Sequence, residues 1–302
     1  MTLDGAYQGF HVATHGPGIA VITFDQPDRL NGISRGMKRD LTEIMTQAQL
    51  DIDTRVVVVT GSGRGFCAGD DIFNPTENDR HIPTLVPEQL RNVRNSQVDQ
   101  YALLRTYSQE LIRSILNLDK VTIAAVNGVA IQMGLSIALA CDFRIASTGA
   151  RLGSATLRFG FLPDEGGHWL LLQHLGLARA VEFLMRKQIV AAEEALDLGL
   201  VSEVVAPEEL MPAAMRLAEE MANGPQVAMR MLKRSLHNAS AQTFEQAGDD
   251  IAAKTAVSDQ HPDTSEGMAA YRERREPRFN QWLEDPIVDG DGNPDWFGPS
   301  EE

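Results

Sequence analysis

The chain has 302 residues, of which 43% are hydrophobic and 23% are charged, as in ordinary folded domains. Its net charge of −15 argues against partners that need a basic face, namely nucleic acids and anionic membrane surfaces. No apolar stretch approaches the ~18 residues of a membrane span, and residues 1–16 lack the parts of a secretory signal. We therefore expect a cytoplasmic protein. The two cysteines, Cys67 and Cys141, lack metal-ligand spacing, so we expect buried free thiols and no bound metal.

The first third of the chain is predicted to alternate strands with helices. Apolar alternation and β-branched runs indicate the strands, and a 3.6-residue apolar period indicates the helices. The predicted elements are a hairpin of residues 8–15 and 19–24, a helix from Ser34 to about Asp51, a buried strand over 55–60 and, after a polar loop over 74–97, a helix over 98–116.

The segment 120–142 combines a strand, a tight turn and a buried helix. The apolar run from Val121 to Val126 predicts a buried strand, which meets the turn pair Asn127-Gly128. A second apolar run from Met133 to Ala140 then predicts a buried helix. Such a junction directs free backbone N–H groups into one small space, which suits a developing negative charge.

The second half of the chain is predicted to be mostly helical. Short strands are expected over 143–146 and 150–153 and a further strand over 200–205. The predicted helices cover 167–175, 177–186, 191–198, 207–223, 225–238, 242–258 and 264–275. The tail from Leu283 is acidic and contains no basic residue, so it is expected to be an extended arm. The pattern indicates an α/β layer with a helical appendage.

Several short segments, taken together and in this order, resemble the crotonase (enoyl-CoA hydratase/isomerase) superfamily over about residues 8–282. Each segment is a weak signal alone, but their order and spacing are similar to those of the family. They are PDRLN at 27–31, GFCAGDD at 65–71, IAAVNGVA at 123–130, ACDFRIA at 140–146, GFLP at 160–163 and EGM at 266–268.

The resemblance implies an α/β crotonase fold, in which a spiral of stacked ββα turns is followed by helices that assemble trimers or hexamers. It divides the chain into a core with the acyl-CoA site over 1–205, a helical oligomerisation region over 206–282 and an acidic tail over 283–302. It also implies an acyl-CoA thioester as ligand, with coenzyme A as part of the substrate and no separate cofactor.

The chemistry implied by the resemblance is formation of an enolate, whose oxygen is held by two backbone N–H groups. The positions that match the family's donors are Asp70 and Met133, and a backbone donor does not depend on the side chain. The positions that match the family's substrate and CoA contacts are Arg29, Leu30, Ala68, Asp70, Asp71, Ile72 and Gly134. Ile72 stands where many relatives carry a lysine, which weakens that part of the match.

The chain departs from the hydratase pattern at both acid positions. Alignment with the family places Ser136 and Thr156 where hydratases carry two glutamates, and a hydroxyl without an activating partner is a poor general base. Asp164 matches an acid found in some isomerase members, so the resemblance favours isomerases over two-glutamate hydratases. A carboxyl suits proton transfer near neutral pH when burial raises its pKa. We expect Phe159, Phe161, Leu162 and Trp169 to bury Asp164, and Glu165 to point away from the site.

Three alternatives remain open at this stage. In the first, Asp164 or Glu165 only caps the helix that begins near Gly166. In the second, the reaction is ring opening or C–C hydrolysis of a CoA thioester; thioester hydrolysis through Ser136 lacks a nucleophile-elbow motif. In the third, the chain binds acyl-CoA without catalysis, which an exposed Asp164, or one paired away from the site, would favour.

Overall fold

A computed structural model describes residues 3–71 and 97–284. Ile72, most of the predicted loop 74–97 and nearly all of the predicted acidic tail 283–302 lie outside the described residues. Within the described part of the chain, none of the helices is both long and apolar enough to cross a membrane.

The elements follow the predicted order closely. The strands are β1 Gly5–Tyr7, β2 Phe10–His15, β3 Ile19–Phe24, β4 Val56–Gly61, β5 Gly65–Cys67, β6 Val121–Val126, β7 Val129–Ile131, β8 Phe143–Ser147, β9 Arg151–Gly153, β10 Ile189–Ala191 and β11 Glu203–Val205. The helices are α1 Arg35–Leu50, α2 Gln97–Leu103, α3 Gln109–Leu116, α4 Met133–Ala140, α5 Gly167–Met185, α6 Ala192–Asp197, α7 Leu210–Asn223, α8 Gln226–Ala239, α9 Phe244–Ser258, α10 Pro262–Glu273 and α11 Gln281–Glu284.

Local sequence explains where two of the helices begin and break. Ser34 caps α1 as predicted, because its side chain accepts a hydrogen bond from the Met37 N–H. Gly176 interrupts α5 with φ 72°, at the break expected between the two predicted helices. The helix predicted over 98–116 is not continuous, since a π-helical turn at Leu104–Ser108 separates α2 from α3.

Two sheets form the core of the fold. The larger sheet has the order β1-β2-β3-β4-β6-β8-β11, antiparallel from β1 to β3 and parallel from β3 onward. The smaller sheet has the order β10-β9-β7-β5, and its strands β5, β7 and β9 are parallel. Each of these three strands closely follows a strand of the larger sheet in sequence. This repetition confirms the predicted stack of ββα turns.

Hydrophobic side chains bury both faces of the larger sheet. Alternate residues of β3 enter different cores: Ile22 lies in one and Val21 in the other. The first core also contains the apolar faces of α1, α3 and α4. Helix α7 covers the second face with a stripe made mostly of alanines. It packs on the core although it lies in the segment 206–282, which the resemblance assigns to oligomerisation. Small side chains allow this helix to approach the sheet closely.

The closest packing relevant to a site is between α4 and β5. Gly134, in the first turn of α4, lies against the backbone of Cys67, and a Cβ at position 134 would overlap the Cys67 carbonyl oxygen. This neighbour is main chain, so it cannot move aside as a flexible side chain can. A glycine is therefore required for the start of α4 to lie directly over the end of β5.

Gly134→Ala should lower the free energy of unfolding by about 1–3 kcal/mol, because the added methyl group pushes α4 away from β5. The matched control is Gly248→Ala in α9, where a Cβ meets no atom within 4 Å. The control should leave stability unchanged or raise it by up to ~1 kcal/mol, since alanine is the better helix former. Urea denaturation of both variants measures the difference, and equal stability of the two would contradict the packing argument.

Candidate active site

Two backbone N–H groups meet where β5 ends and α4 begins. Gly69 has φ 103°, which turns the chain after β5 and orients the N–H of Asp70. Hydrogen bonds to Ile33 hold this turn in place: the Ile33 N–H donates to the Gly69 carbonyl at 2.9 Å and the Asp71 N–H to the Ile33 carbonyl at 3.1 Å. Met133 is the first residue of α4, so its N–H has no partner within the helix.

Gln132 immediately precedes Met133 in the chain, and its side chain connects the Asp70 N–H with the buried acid Glu165. It precedes α4 with φ 52°, and its Oε1 accepts a hydrogen bond from the Asp70 N–H at 3.3 Å. Its Nε2 donates to Glu165 Oε2 at 3.0 Å. One side chain therefore spans the distance from the end of β5 to the loop before α5.

Asn31 supports the same corner of the site. This buried side chain donates through Nδ2 to the Gly65 carbonyl at 2.7 Å and to the Ser62 carbonyl at 3.0 Å. The backbone beside it adds a further link, since the Ala68 N–H donates to the Leu30 carbonyl at 3.0 Å. The segments 29–31 and 65–71 therefore lie side by side, as their resemblance to the family's CoA-binding segments implies.

Arg29 and Asp71 form an ion pair at the outer end of these segments. The Arg29 Nη1 lies 2.8 Å from Asp71 Oδ2, with the Arg29 side chain 43% exposed and that of Asp71 8% exposed. Asp71 thus accepts a hydrogen bond from Arg29 and holds its guanidinium in place. The guanidinium of Arg29 remains partly accessible from outside.

A buried lysine, which the sequence interpretation missed, provides positive charge to the site. Lys38 of α1 is 4% exposed, and its Nζ lies 2.7 Å from Asp70 Oδ1 and donates to Ser108 Oγ at 2.9 Å. Lys38 lies among the buried apolar residues of α1, and a charged residue at such a position is the signal that could have identified it. Buried lysines need a partner of opposite charge, and Asp70 provides one.

Asp164 lies in the loop before α5, and its surroundings favour the protonated form. Partial burial and the nearby charge of Asp70 raise the pKa of the Asp164 carboxyl, while Lys38 acts in the opposite direction. The Asp164 carbonyl accepts a hydrogen bond from Gln109 Nε2 at 2.9 Å, which fixes the loop. Gly166 occupies the capping position of α5, and no side chain caps it. The capping interpretation of Asp164 is therefore not supported.

The side chains expected to bury Asp164 do not do so. The turn Thr156–Phe159 and the loop after it direct them outward: Phe159 is 69% exposed, Phe161 63%, Leu162 68% and Trp169 46%. That part of the prediction was wrong. The sequence shows an apolar segment, but it does not show on which side of the loop the apolar groups project.

Glu165 is the most deeply buried acid of the site, and the expectation that it points away was wrong. It is 1% exposed, and its Oε1 accepts a hydrogen bond from Ser136 Oγ at 2.7 Å. Burial raises the pKa of the Glu165 carboxyl, and the hydrogen bond from Ser136 opposes this. The structure thus brings together Ser136, at a position where the resemblance implies an acid, and a carboxyl from another segment. No local motif predicted this contact.

Thr156 and the two cysteines are poorly suited to acid–base or nucleophilic chemistry. Thr156 begins a short 3₁₀ turn, and its buried Oγ1 has no hydrogen-bond partner among the described residues. Cys67 and Cys141 are buried free thiols, as predicted, and burial raises the pKa of each to about 12. Neither thiol is a nucleophile near neutral pH, because the reactive form is the thiolate.

The raised pKa of Glu165 predicts a pH-dependent loss of stability. As pH rises through the unfolded-state pKa of about 4.5, the unfolded chain releases this proton before the native protein does. The wild-type protein should therefore lose stability relative to Glu165→Gln as pH rises above about 4.5, until the native carboxyl also releases its proton. Urea denaturation across this range measures the difference. The exposed control Glu208→Gln should follow the wild type, and a pH-independent difference for Glu165→Gln would contradict the assignment.

Comparison with known proteins shows which family the chain resembles over most of its length. A family model described as enoyl-CoA hydratase/isomerase matches residues 14–282. The 1,2-epoxyphenylacetyl-CoA isomerase of Escherichia coli K12 is 31% identical over 87% of this chain and 95% of that protein. The (E)-benzylidenesuccinyl-CoA hydratase of Thauera aromatica is 32% identical over 86% and 95%. The crystal structure of an enoyl-CoA hydratase from Bacillus anthracis has a chain that is 28% identical to this one. The two structures match over 90% of this chain and 99% of that chain, with a TM-score of 0.78. The chain therefore belongs to the enoyl-CoA hydratase/isomerase family of enzymes, which act on acyl-CoA, and it has the α/β crotonase fold.

Proposed function

We propose that this enzyme isomerises an unsaturated acyl-CoA thioester by moving a proton along the acyl chain through an enolate, with Asp164 as the proton carrier. The observation that carries the proposal is that Asp164 lies in the loop before α5, fixed by Gln109 and close enough to Asp70 for that charge to raise its pKa. The Asp164 carboxyl is half-buried and its pKa is raised. Among the described residues, no basic side chain forms an ion pair with it. A carboxyl in this condition can take up and return a proton near neutral pH.

The proposed reaction has two proton-transfer steps. The Asp164 carboxylate removes a proton from one carbon of the acyl chain, and the electron pair of that C–H bond moves through the chain onto the thioester oxygen. The N–H groups of Asp70 and Met133 hold this oxygen, each contributing roughly 3 kcal/mol to transition-state stability. Protonated Asp164 then returns its proton to another carbon, so that the double bond has moved and the enzyme is unchanged.

The coenzyme A end of the substrate is proposed to follow the paired segments 29–31 and 65–71. Arg29, Leu30, Ala68 and Asp71 belong to these segments, and Ile72, the further position expected to contact coenzyme A, lies outside the described residues. The exposed guanidinium of Arg29 is suited to a phosphate. Gly134 acts indirectly, because it allows α4 to approach β5 and so determines where the Met133 N–H lies.

A second candidate, ring opening or C–C hydrolysis of a CoA thioester, has support from two observations. The matched proteins of E. coli and T. aromatica are named for aromatic acyl-CoA thioesters, and the first is an isomerase of a ring epoxide. In addition, the Glu165 carboxyl lies in hydrogen-bond contact with Ser136 Oγ. A substrate panel must therefore include aromatic acyl-CoA thioesters. A protein that binds acyl-CoA without turnover is the third possible outcome.

Self-association into a homotrimer or homohexamer is also proposed. Large apolar side chains are exposed along α5, α8 and α9, where a second copy of the chain would cover them; they are Leu177, Val181, Met185, Leu232, Leu236 and Phe244. Sedimentation equilibrium should give a mass of three or six chains of 33.1 kDa. A monomer at micromolar concentration would contradict the proposal.

Asp164→Asn should abolish proton exchange while leaving acyl-CoA binding intact, because the amide keeps the shape of the carboxyl and cannot accept the proton. Deuterium incorporation at the α- or γ-carbon of aliphatic and aromatic acyl-CoA thioesters, followed by mass spectrometry, measures the loss. The matched control is Asp197→Asn on the exposed side of α6, which should retain wild-type exchange.

Unchanged exchange by Asp164→Asn would refute the assignment of this residue as the proton carrier. If the wild-type protein binds the thioesters but exchanges no proton across the panel, the non-catalytic alternative is favoured instead.

A further inference from the structure

The proposed Asp70 donor already has an acceptor within the protein. Its N–H donates to Gln132 Oε1, while the nitrogen end of the same amide donates to Glu165 Oε2. The Asp70 partner fixes the amide orientation, since a backbone N–H can only donate and must therefore face the amide oxygen. The amide oxygen of Gln132 thus lies where the Asp70 N–H points.

We propose that Gln132 is an internal ligand of the Asp70 donor, which a thioester oxygen must displace, and that Glu165 is the positioning residue that holds the Gln132 amide in place. The inference rests on the proposed function, because it takes the Asp70 N–H as a donor to the thioester. A single N–H gives one strong hydrogen bond, so the Gln132 oxygen and the acyl oxygen compete for it.

The hydrogen bond between the Asp70 N–H and Gln132 Oε1 has the features of a weak one. At 3.3 Å it is longer than most N–H···O hydrogen bonds, and both of its partners are neutral. Gln132 is partly exposed and not enclosed on all sides. The backbone of Gln132 stays fixed, because its carbonyl accepts the Ser136 N–H at 2.9 Å in the first turn of α4. Only the side chain has to move.

The contact with Glu165 opposes this movement. Both carboxyl oxygens of this buried residue have donors: Ser136 Oγ serves Oε1 at 2.7 Å and Gln132 Nε2 serves Oε2 at 3.0 Å. Withdrawal of the amide leaves Oε2 without that donor in a buried environment, which is unfavourable. Glu165 therefore influences acyl-CoA binding through Gln132, without contact to the substrate.

Displacement of Gln132 weakens the binding of substrate and transition state equally. Removing the side chain should therefore lower KM and leave kcat nearly unchanged. A residue with only a structural role would lower stability and activity together. Tighter binding by the variant therefore indicates displacement of Gln132, whereas a joint loss of stability and activity indicates a structural role.

The experiment measures the dissociation constants of butyryl-CoA and phenylacetyl-CoA by isothermal titration calorimetry. Gln132→Ala should bind both about threefold to tenfold more tightly than the wild type, the range expected for one hydrogen bond. Gln132→Gly should do the same, and glycine tolerates the positive φ at this position. The matched control Gln173→Ala, on the exposed face of α5, should bind as the wild type does.

A double-mutant cycle tests the role of Glu165. Glu165→Gln alone should tighten binding by less than Gln132→Ala, and adding it to Gln132→Ala should cause no further change, because Glu165 acts only through Gln132. A further change in the double variant would overturn the positioning role.

If the folded Gln132 variants bind the thioesters no more tightly than the wild type, the displacement inference is overturned, while the proposed function stands. Absence of binding by the wild type and by both Gln132 variants would overturn the proposed function together with it.

Discussion

The close approach of α4 to β5 is the constraint on which the site depends. Because position 134 is a glycine, the first turn of α4 lies directly on the backbone of Cys67. One residue earlier stands Met133, and three residues after Cys67 stands Asp70, so the two N–H groups proposed as donors come from the two partners of one backbone contact. Asn31 reinforces the arrangement by holding the Gly65 carbonyl at the start of β5. The donors are therefore placed by main chain, and side chains can change around them.

The side chains around the donors form an acidic cluster with one buried cation. Asp70 is paired with Lys38, whereas Asp164 and Glu165 both have raised pKa values because burial disfavours their charged forms. A raised pKa makes a carboxyl a stronger base and a weaker acid, which suits the uptake of a proton from carbon. The same physical reason connects the proposed isomerisation at Asp164 with the pH-dependent stability expected from Glu165.

The sequence predicted the fold well because long apolar runs and caps determine it locally. The buried strands β4 and β6, the helix α4 and the Ser34 cap of α1 all follow from short-range patterns. The strands β1, β5, β7 and β10 were missed, since each has only three residues, too few for a periodic pattern, and β5, β7 and β10 also depend on pairing with distant parts of the chain. The same distinction applies to the site. Asp164 was recognised from a motif, but the contacts of Glu165 with Ser136 and Gln132, and of Lys38 with Asp70, join segments that only the folded chain brings together.

The central claim is that the Asp70 and Met133 N–H groups bind the thioester oxygen in place of the Gln132 amide. A crystal structure of the protein with butyryl-CoA tests it most directly. The account predicts the thioester oxygen within about 3.2 Å of both backbone nitrogens, with Gln132 Oε1 no longer bonded to Asp70. A bound thioester whose oxygen lies elsewhere, with the hydrogen bond between Asp70 and Gln132 intact, would contradict it.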